Sequence, residues 1–159
     1  MWRRGLAIAG AAALALSSVP AGAQTADGRI TLAEALQLID AATAEATKQN
    51  YRLSFAVVDA RGDLIAIGRM PGAGAGTPDT AIGKAMTSTF FGQPSGAVSA
   101  LATNPIGVAL NDSTGGRLRF FQGGLPIVRN GMTVGAMGAS GASAQQDEDV
   151  VKAALSALR

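Results

Sequence analysis

The sequence of 159 residues contains no cysteine and no histidine. Without these residue types the chain by itself can form no disulfide, no cysteine nucleophile, no Ser-His-Asp triad and no Cys/His zinc site. The same absence removes the usual protein ligands of haem iron, so a haem site here would have to use methionine, tyrosine, lysine or a weak hydroxyl ligand. These exclusions hold before any residue is placed in a fold.

Residues 1–23 have the pattern of a leader. They begin with Arg3 and Arg4, continue with twelve apolar residues over 5–16 and end in the small-x-small motif of 21–23. This order is typical of a secretory signal peptide cleaved after the motif, and the apolar run is shorter than the roughly 20 residues that a membrane span needs. We therefore expect a periplasmic or extracellular protein with no membrane span after cleavage. Paired arginines also occur in twin-arginine leaders, so both export routes stay open.

Removal of the leader changes the charge balance. The whole chain has 13 Lys+Arg and 11 Asp+Glu, and the leader holds two of the cations and the only tryptophan, Trp2. The predicted domain, residues 24–159, therefore has 11 of each and no basic excess. Because nucleic acid binding needs an excess of basic residues on one face, we expect no nucleic acid partner. Its length permits a core of its own, and without cysteine that core, or oligomerisation, must stabilise the exported protein.

The first half of the domain is predicted to begin with a helix and a hairpin. Thr31 and Glu34 form a capping box at the start of a helix over 30–49. The apolar runs 53–58 and 64–70 flank a turn that contains glycine, which predicts a β-hairpin. Because both runs are apolar on both faces, we expect this hairpin to be central in the sheet and covered by helices.

A low-complexity loop follows the hairpin and leads to further helices. The loop spans 71–78, and the next helix is predicted to be capped by Thr77 and to end at about Phe91. Residues 94–102 are predicted to form a shorter helix, and residues 103–117 are predicted to be irregular.

The last third of the chain is predicted to hold three strands and a helix. The strands span 118–122, 125–128 and 132–140, with an Asn-Gly hairpin signal before the last of them. Ser143 and Gln146 form a second capping box, at the start of a C-terminal helix. This order of elements predicts an α+β domain with a five-stranded antiparallel sheet flanked by helices.

Five segments occur together in one order: the helix over 30–49, the strand over 55–59, the Ala-Ile-Gly-Lys-Ala-Met-Thr segment over 81–87, the Gly-Gly-Leu-Pro turn over 123–126, and a glycine-rich strand followed by Gln-Asp-Glu over 134–148. With these segments the sequence resembles the GlcG/HbpS-like family, also called the haem-degrading domain family, over residues 30–159. The resemblance implies a profilin-like fold and homo-oligomers. One exported branch of the family binds haem beside a membrane sensor kinase, and other members lie in glycolate or diol-utilisation operons.

The resemblance also suggests site residues. Lys84 matches the family's Lys-Ala-x-Thr segment and is the strongest polar candidate, with a snorkelling lysine or a subunit salt bridge as the structural alternatives. The threonine that ligates haem in one branch has a loose counterpart in Thr103 or Thr114, whereas the histidine of another branch has none. Arg69, Arg117 and Arg119 are candidates for holding carboxylates or propionates, and solvated strand ends are the alternative.

Three further features could contribute to a ligand site. The loop around Asn111 is rich in hydrogen-bonding groups that could shape a small-acid site or only turn the chain. Phe121, before Gly123 and Gly124, could form an apolar wall for a planar ligand, and packing in the core or at a subunit interface is the ordinary role of such a ring.

A cluster of carboxylates at the start of the last helix has two interpretations. Asp147 and Glu148 would complement the helix dipole there. Alternatively, they could contribute to a site for a hard or iron-type metal ion, since carboxylates bind such ions without histidine. No acid/base pair in the sequence is recognisable as catalytic.

Two functional hypotheses follow. The first is an exported, homo-oligomeric haem- or tetrapyrrole-binding protein with ligation by a residue other than histidine, serving as a sensor accessory or haem-handling factor, with a membrane sensor or redox protein as candidate partners. The alternative is an accessory protein or enzyme that acts on a small carboxylate such as a hydroxy acid.

Overall fold

Four strands, four α-helices and one 3₁₀ helix make up the part of the chain that the structure describes. The structure is a computed structural model and describes residues 28–158, so the predicted signal peptide over 1–23 lies outside it. In chain order the elements are α1 (Leu32–Lys48), β1 (Ser54–Asp59), β2 (Leu64–Arg69), α2 (Thr77–Phe91), the 3₁₀ helix (Ser95–Ala102), α3 (Pro105–Ser113), β3 (Gly124–Arg129), β4 (Met132–Ser140) and α4 (Ala144–Ala157).

The sheet is antiparallel throughout, with strand order β2-β1-β4-β3. The two central strands, β1 and β4, pair along their whole shared length, with Ser54 opposite Ser140. β3 and β4 form a hairpin at the predicted Asn130-Gly131 turn, where both residues have positive φ. The predicted α+β class with an antiparallel sheet flanked by helices is confirmed, but the predicted number of five strands is wrong, because residues 28–158 contain four.

The predicted strand over 118–122 does not form because other groups take its backbone hydrogen bonds. The N–H of Arg119 donates to Thr87 Oγ1 on α2, at 2.9 Å, rather than to a neighbouring strand. The carbonyl of Phe121 accepts from Ser95 Oγ at 2.7 Å. The segment therefore lies against α2 and the 3₁₀ helix, and the sheet begins only at β3.

The predicted hairpin of β1 and β2 forms, but only one of its strands is central. β1 lies between β2 and β4 and is buried over residues 54–58. β2 is an edge strand with one strand neighbour, and its Leu64 and Ile67 side chains are 47% and 44% exposed. An apolar run alone could not distinguish a central strand from an edge strand, because the burial of a strand's faces depends on which helices pack against them.

The segment over 103–117, predicted to be irregular, contains the helix α3. Asn104 caps this helix, with its Oδ1 accepting from the N–H of Ile106 at 2.9 Å, and proline occupies the first turn. Asn followed by Pro is a recognised helix start, so a signal for α3 was present in the sequence.

The helix starts were predicted well at both ends of the domain and less well for α2. The capping boxes at Thr31 and Ser143 are both formed. α2, in contrast, begins after Gly76, which has a φ of 75° and no side chain to cap with. Thr77 is the first residue of the helix, and its hydroxyl donates to the carbonyl of Gly74 at 2.8 Å.

Helices cover both faces of the sheet, which gives two apolar cores. α1 and α4 pack on the face that presents Phe55 and Met137, and α2 packs on the face that presents Val58 and Ala136. α2 approaches β4 closely at Gly138, where a Cβ atom would overlap the backbone of α2. Within residues 28–158, no helix has the length and hydropathy that crossing a membrane would require.

Candidate functional site

Lys84 and Asp147 form an ion pair inside the domain. Lys84 Nζ lies 2.6 Å from Asp147 Oδ2 and also donates to the carbonyl of Ala139 at 2.9 Å. Asp147 Oδ1 accepts from the N–H of Ala142 at 3.0 Å. The two side chains are 1% and 3% exposed, so the pair joins α2, β4 and α4 away from solvent.

Burial is the largest influence on the pKa of Asp147. Removal from water raises the pKa of the Asp147 carboxyl, and the hydrogen bonds from Lys84 and Ala142 act in the opposite direction. The charged form of Asp147 therefore depends on these two donors. Both oxygens of Asp147 thus accept hydrogen bonds within the protein, and residues 28–158 contain no group of three acidic side chains placed for a metal ion.

The glycine turn before β3 is packed against this lysine. Gly123 has a φ of 119°, and a Cβ atom there would lie 2.6 Å from Lys84 Nζ. A Cβ at Gly124 would overlap the backbone of Lys84. The two predicted ligand-binding glycines are buried, and their lack of side chains makes room for the lysine.

Phe121 separates the ion pair from the surface. Its ring centroid lies 5.2 Å from Lys84 Nζ, which is within the range of a cation–π contact. The side chain is nevertheless 45% exposed. One part of the ring thus covers the lysine while the rest faces outward.

The outward part of that ring lines an open cleft of about 520 Å³, here called the Phe121 cleft. It lies between the 3₁₀ helix, the segment before β3 and the start of α4. Its lining residues are Pro94, Gly96, Ala97, Ser99, Phe121, Gln122, Ala144 and Glu148. Glu148 Oε2 is buried and has no hydrogen-bond partner within residues 28–158. The cleft thus has apolar walls and is bordered by Glu148, one of whose oxygens is buried without a partner within residues 28–158.

A second cleft, of about 390 Å³, contains two arginines and is here called the Arg117–Arg119 cleft. Its lining residues are Leu64, Asp79, Ile82, Gly115, Gly116, Arg117 and Arg119. It shares no lining residue with the Phe121 cleft.

The other predicted site residues lie in neither cleft. Thr103 is exposed at the end of the 3₁₀ helix. Asn111 Oδ1 accepts from the N–H of Leu118 at 2.8 Å, and Thr114 Oγ1 donates to the Asn111 carbonyl, so both hold the loop together. Arg69 is exposed and donates to the carbonyl of Ala73 at 2.5 Å.

The soft or phenolic haem ligands that the sequence left available are also elsewhere. Met86 and Met137 are buried in the cores, and Met70 and Tyr51 pack against the core under α1 and α4. Met132 is 65% exposed on the hairpin of β3 and β4. The sequence identified Phe121 and Glu148, but not the rest of their cleft, because its lining comes from three separate segments.

The family model described as haem degrading protein HbpS-like matches residues 30–156. The chain belongs to the HbpS-like family. This match includes the ion pair and every lining residue of both clefts. A 15.0 kDa protein in the dhaT-dhaS intergenic region of Citrobacter freundii is similar to this HbpS-like chain, with 33% identity over 130 residues, 79% of this chain and 89% of that protein.

Solved structures of HbpS-like relatives share the fold. Klebsiella pneumoniae protein ORFY superimposes with a TM-score of 0.74 at 30% identity, covering 88% of this chain and 96% of that one. A double mutant of Streptomyces reticuli HbpS also has a TM-score of 0.74 at 30% identity, covering 90% and 99%. PduOC in complex with haem has a TM-score of 0.72 at 27% identity, covering 81% and 94%.

Proposed function

We propose that this HbpS-like chain binds haem in the Phe121 cleft. Support comes from the family description, which names haem, and from PduOC, which is similar to this chain and was solved with haem. The observation that carries the proposal is the half-exposed Phe121 ring, which forms an apolar wall in a cleft of about 520 Å³. Cofactor pockets are commonly of this size and mostly apolar.

The residues of the cleft fit haem in part of its chemistry. Phe121 offers a flat apolar surface, Pro94 and Ala97 extend it, and the lining residues that carry side-chain oxygens are Ser99, Gln122 and Glu148. A carboxylate or hydroxyl is a hard ligand that suits ferric rather than ferrous iron. When bound, haem would supply a redox-active iron. No cation is among the described lining residues of this cleft, so we propose that the propionates remain in solvent.

Export, self-association and a sensor partner belong to the same proposal. The leader pattern over 1–23 supports export. We further propose that the protein is a homo-oligomer, for which size-exclusion chromatography with light scattering is the direct measurement.

Titration of ferric haem into the purified protein, followed by the Soret band, tests the proposal. We expect a saturable Soret shift, and we expect Phe121→Ala to weaken binding by about tenfold. Phe90→Ala is a matched control, because Phe90 is 44% exposed but lies outside the cleft. Absence of a Soret shift beyond that of haem in buffer, or equal binding by the two variants, would contradict the proposal.

A further inference from the structure

We propose that the Arg117–Arg119 cleft is a second binding site, for a small carboxylic acid that carries an ammonium or hydroxyl group on the carbon next to its carboxylate. This site is independent of haem, because the two clefts have no lining residue in common. The proposal rests on the arrangement of three charged side chains around an apolar floor.

Arg119 is held in place by the protein. Its Nη1 donates to the carbonyls of Gly116 and Leu118, at 2.8 and 2.9 Å. Its aliphatic carbons pack on α2 at Gly83, where a Cβ atom would lie 2.5 Å from Arg119 Cγ. Since Nη2 and Nε have no hydrogen-bond partner within residues 28–158, a fixed guanidinium presents free donors in the cleft. Binding an anion there would immobilise little additional side-chain freedom.

Arg117 adds a second guanidinium from the same segment. Its Nε donates to the carbonyl of Thr114 at 2.8 Å, and its two terminal nitrogens have no partner among the described residues. Leu118, between the two arginines, is buried and anchors the segment. Both cations therefore line one cleft, where planar guanidinium groups favour a carboxylate.

Asp79 makes the cleft more selective than a simple anion site. It is the only anionic residue among the described lining residues, and its carboxylate has no hydrogen bond or ion pair within residues 28–158. A doubly charged anion such as phosphate would be repelled by it. A ligand that brings a hydrogen-bond donor as well as a carboxylate would accept hydrogen bonds from the arginines and donate one to Asp79.

Apolar side chains complete the cleft. Leu64 on the edge strand is 47% exposed, and Ile82 on α2 is half-buried beside it. They offer contact to an aliphatic chain. The combination of carboxylate, adjacent donor and aliphatic group is shared by 2-amino acids and 2-hydroxy acids, and these two sources are distinguished by experiment.

Three acids with the same carbon skeleton provide the test: L-leucine, L-2-hydroxy-4-methylpentanoate and 4-methylpentanoate. Binding to the full protein is followed by NMR through the backbone amides of residues 115–119. We expect at least one substituted acid to bind with a Kd of about 1 mM, and about tenfold more tightly than the unsubstituted acid. The preferred substituent shows whether the ligand class is 2-amino acids or 2-hydroxy acids. Asp79→Asn should remove that preference.

Two arginine variants and a control variant distinguish a specific binding site from nonspecific attraction of anions by positive charge. Arg119→Gln and Arg117→Gln should each weaken binding by about tenfold, whereas Arg52→Gln, outside the cleft, should not change it. Thermal unfolding verifies that each variant is folded. If Arg119→Gln does not fold, Arg117→Gln still tests the proposal, because Arg117 is exposed. No shifts at 115–119 with any acid at about 10 mM, or equal losses in Arg117→Gln and Arg52→Gln, would overturn the site. Equal affinity for the three acids would overturn the role of Asp79.

Discussion

Lys84 Nζ lies 2.6 Å from Asp147 Oδ2, and both side chains are almost completely removed from solvent. The pair connects the middle of α2 to the first turn of α4, across the end of β4. A buried pair of this kind holds the structure strongly once formed, because each charge depends on the other. Phe121 closes its remaining side, so the stability of the domain and the shape of the Phe121 cleft are linked.

Breaking this pair should be costly. We expect Lys84→Met to lower the free energy of unfolding by about 3–5 kcal/mol, because it leaves the Asp147 charge buried without its cation. The double variant Lys84→Met/Asp147→Asn should be less destabilised than the single variant, since no unpaired charge remains and the asparagine oxygen still accepts from Ala142. Urea denaturation of both variants measures the difference.

The matched control for that experiment is an exposed pair. Lys48 lies 3.2 Å from Glu45 and is 71% exposed, so Lys48→Met should change the unfolding free energy by less than about 1 kcal/mol. A loss of similar size in Lys48→Met and Lys84→Met would show that burial of the Lys84–Asp147 pair has no special effect.

A second prediction concerns pH. Burial opposes ionisation of Glu34, but hydrogen bonds from Thr31 and Arg129 outweigh it and lower the pKa of its carboxyl below the usual 4.5. A lowered folded-state pKa stabilises the fold above the unfolded value and loses that contribution as the pH falls through the folded value. Between about pH 5 and pH 3, the unfolding free energy of the wild type should therefore fall more steeply than that of Glu34→Gln.

The control for this pH series is Asp40→Asn, an exposed carboxylate on the same helix without a hydrogen-bond partner in the described part of the chain. The pKa of Asp147 is shifted in the opposite direction, because burial raises it. Its contribution to the unfolding free energy is therefore present at low pH and is lost as the pH rises through its folded-state pKa. Parallel acid-side curves for Glu34→Gln and the wild type would contradict the prediction.

A third prediction tests the glycine turn. Gly123→Ala introduces a Cβ 2.6 Å from Lys84 Nζ and 2.9 Å from the carbonyl oxygen of Ala139, at a backbone φ of 119° that alanine rarely adopts. We expect a loss of more than about 3 kcal/mol in unfolding free energy, from steric overlap added to backbone strain. Gly131→Ala, with a φ of 76° and open space around the new Cβ, should lose only about 1 kcal/mol. Similar losses in the two variants would show that the close contacts around Gly123 are unimportant.

The sequence predicted local structure better than long-range placement. The capping boxes at Thr31 and Ser143 depend on residues three apart, and both form. The predicted strand over 118–122 does not form because the N–H of Arg119 donates to Thr87 Oγ1, which is 32 residues away in the chain. No local sequence pattern indicates that a helix side chain, rather than a neighbouring strand, accepts a hydrogen bond from this N–H.

The candidate site shows the same division. Lys84, Phe121, Asp147 and Glu148 could be selected one by one from their residue types and neighbours. Their relationships could not: the sequence suggested a ligand role for Lys84 and a metal role for Asp147, whereas the fold brings the two together as one ion pair. Asp79 lies in the first turn of α2, and no local pattern marks it as a site residue, because its cleft is completed by residues more than 30 positions later.

The last prediction concerns Glu148, whose buried Oε2 has no hydrogen-bond partner in residues 28–158. A carboxylate oxygen in this position is unfavourable for folding alone, so Glu148→Gln, which keeps the shape and removes the charge, should leave the unfolding free energy unchanged or raise it by about 1 kcal/mol. The same change should weaken binding of ferric haem by about tenfold, because a neutral amide is a poorer partner for a cationic iron than a carboxylate. Denaturation and the Soret titration measure the two effects on one sample.

The control for Glu148→Gln is Asp149→Asn, on an exposed neighbour outside the Phe121 cleft, which should change neither the unfolding free energy nor haem binding. Loss of stability without loss of haem binding would instead assign Glu148 a purely structural role at the start of α4.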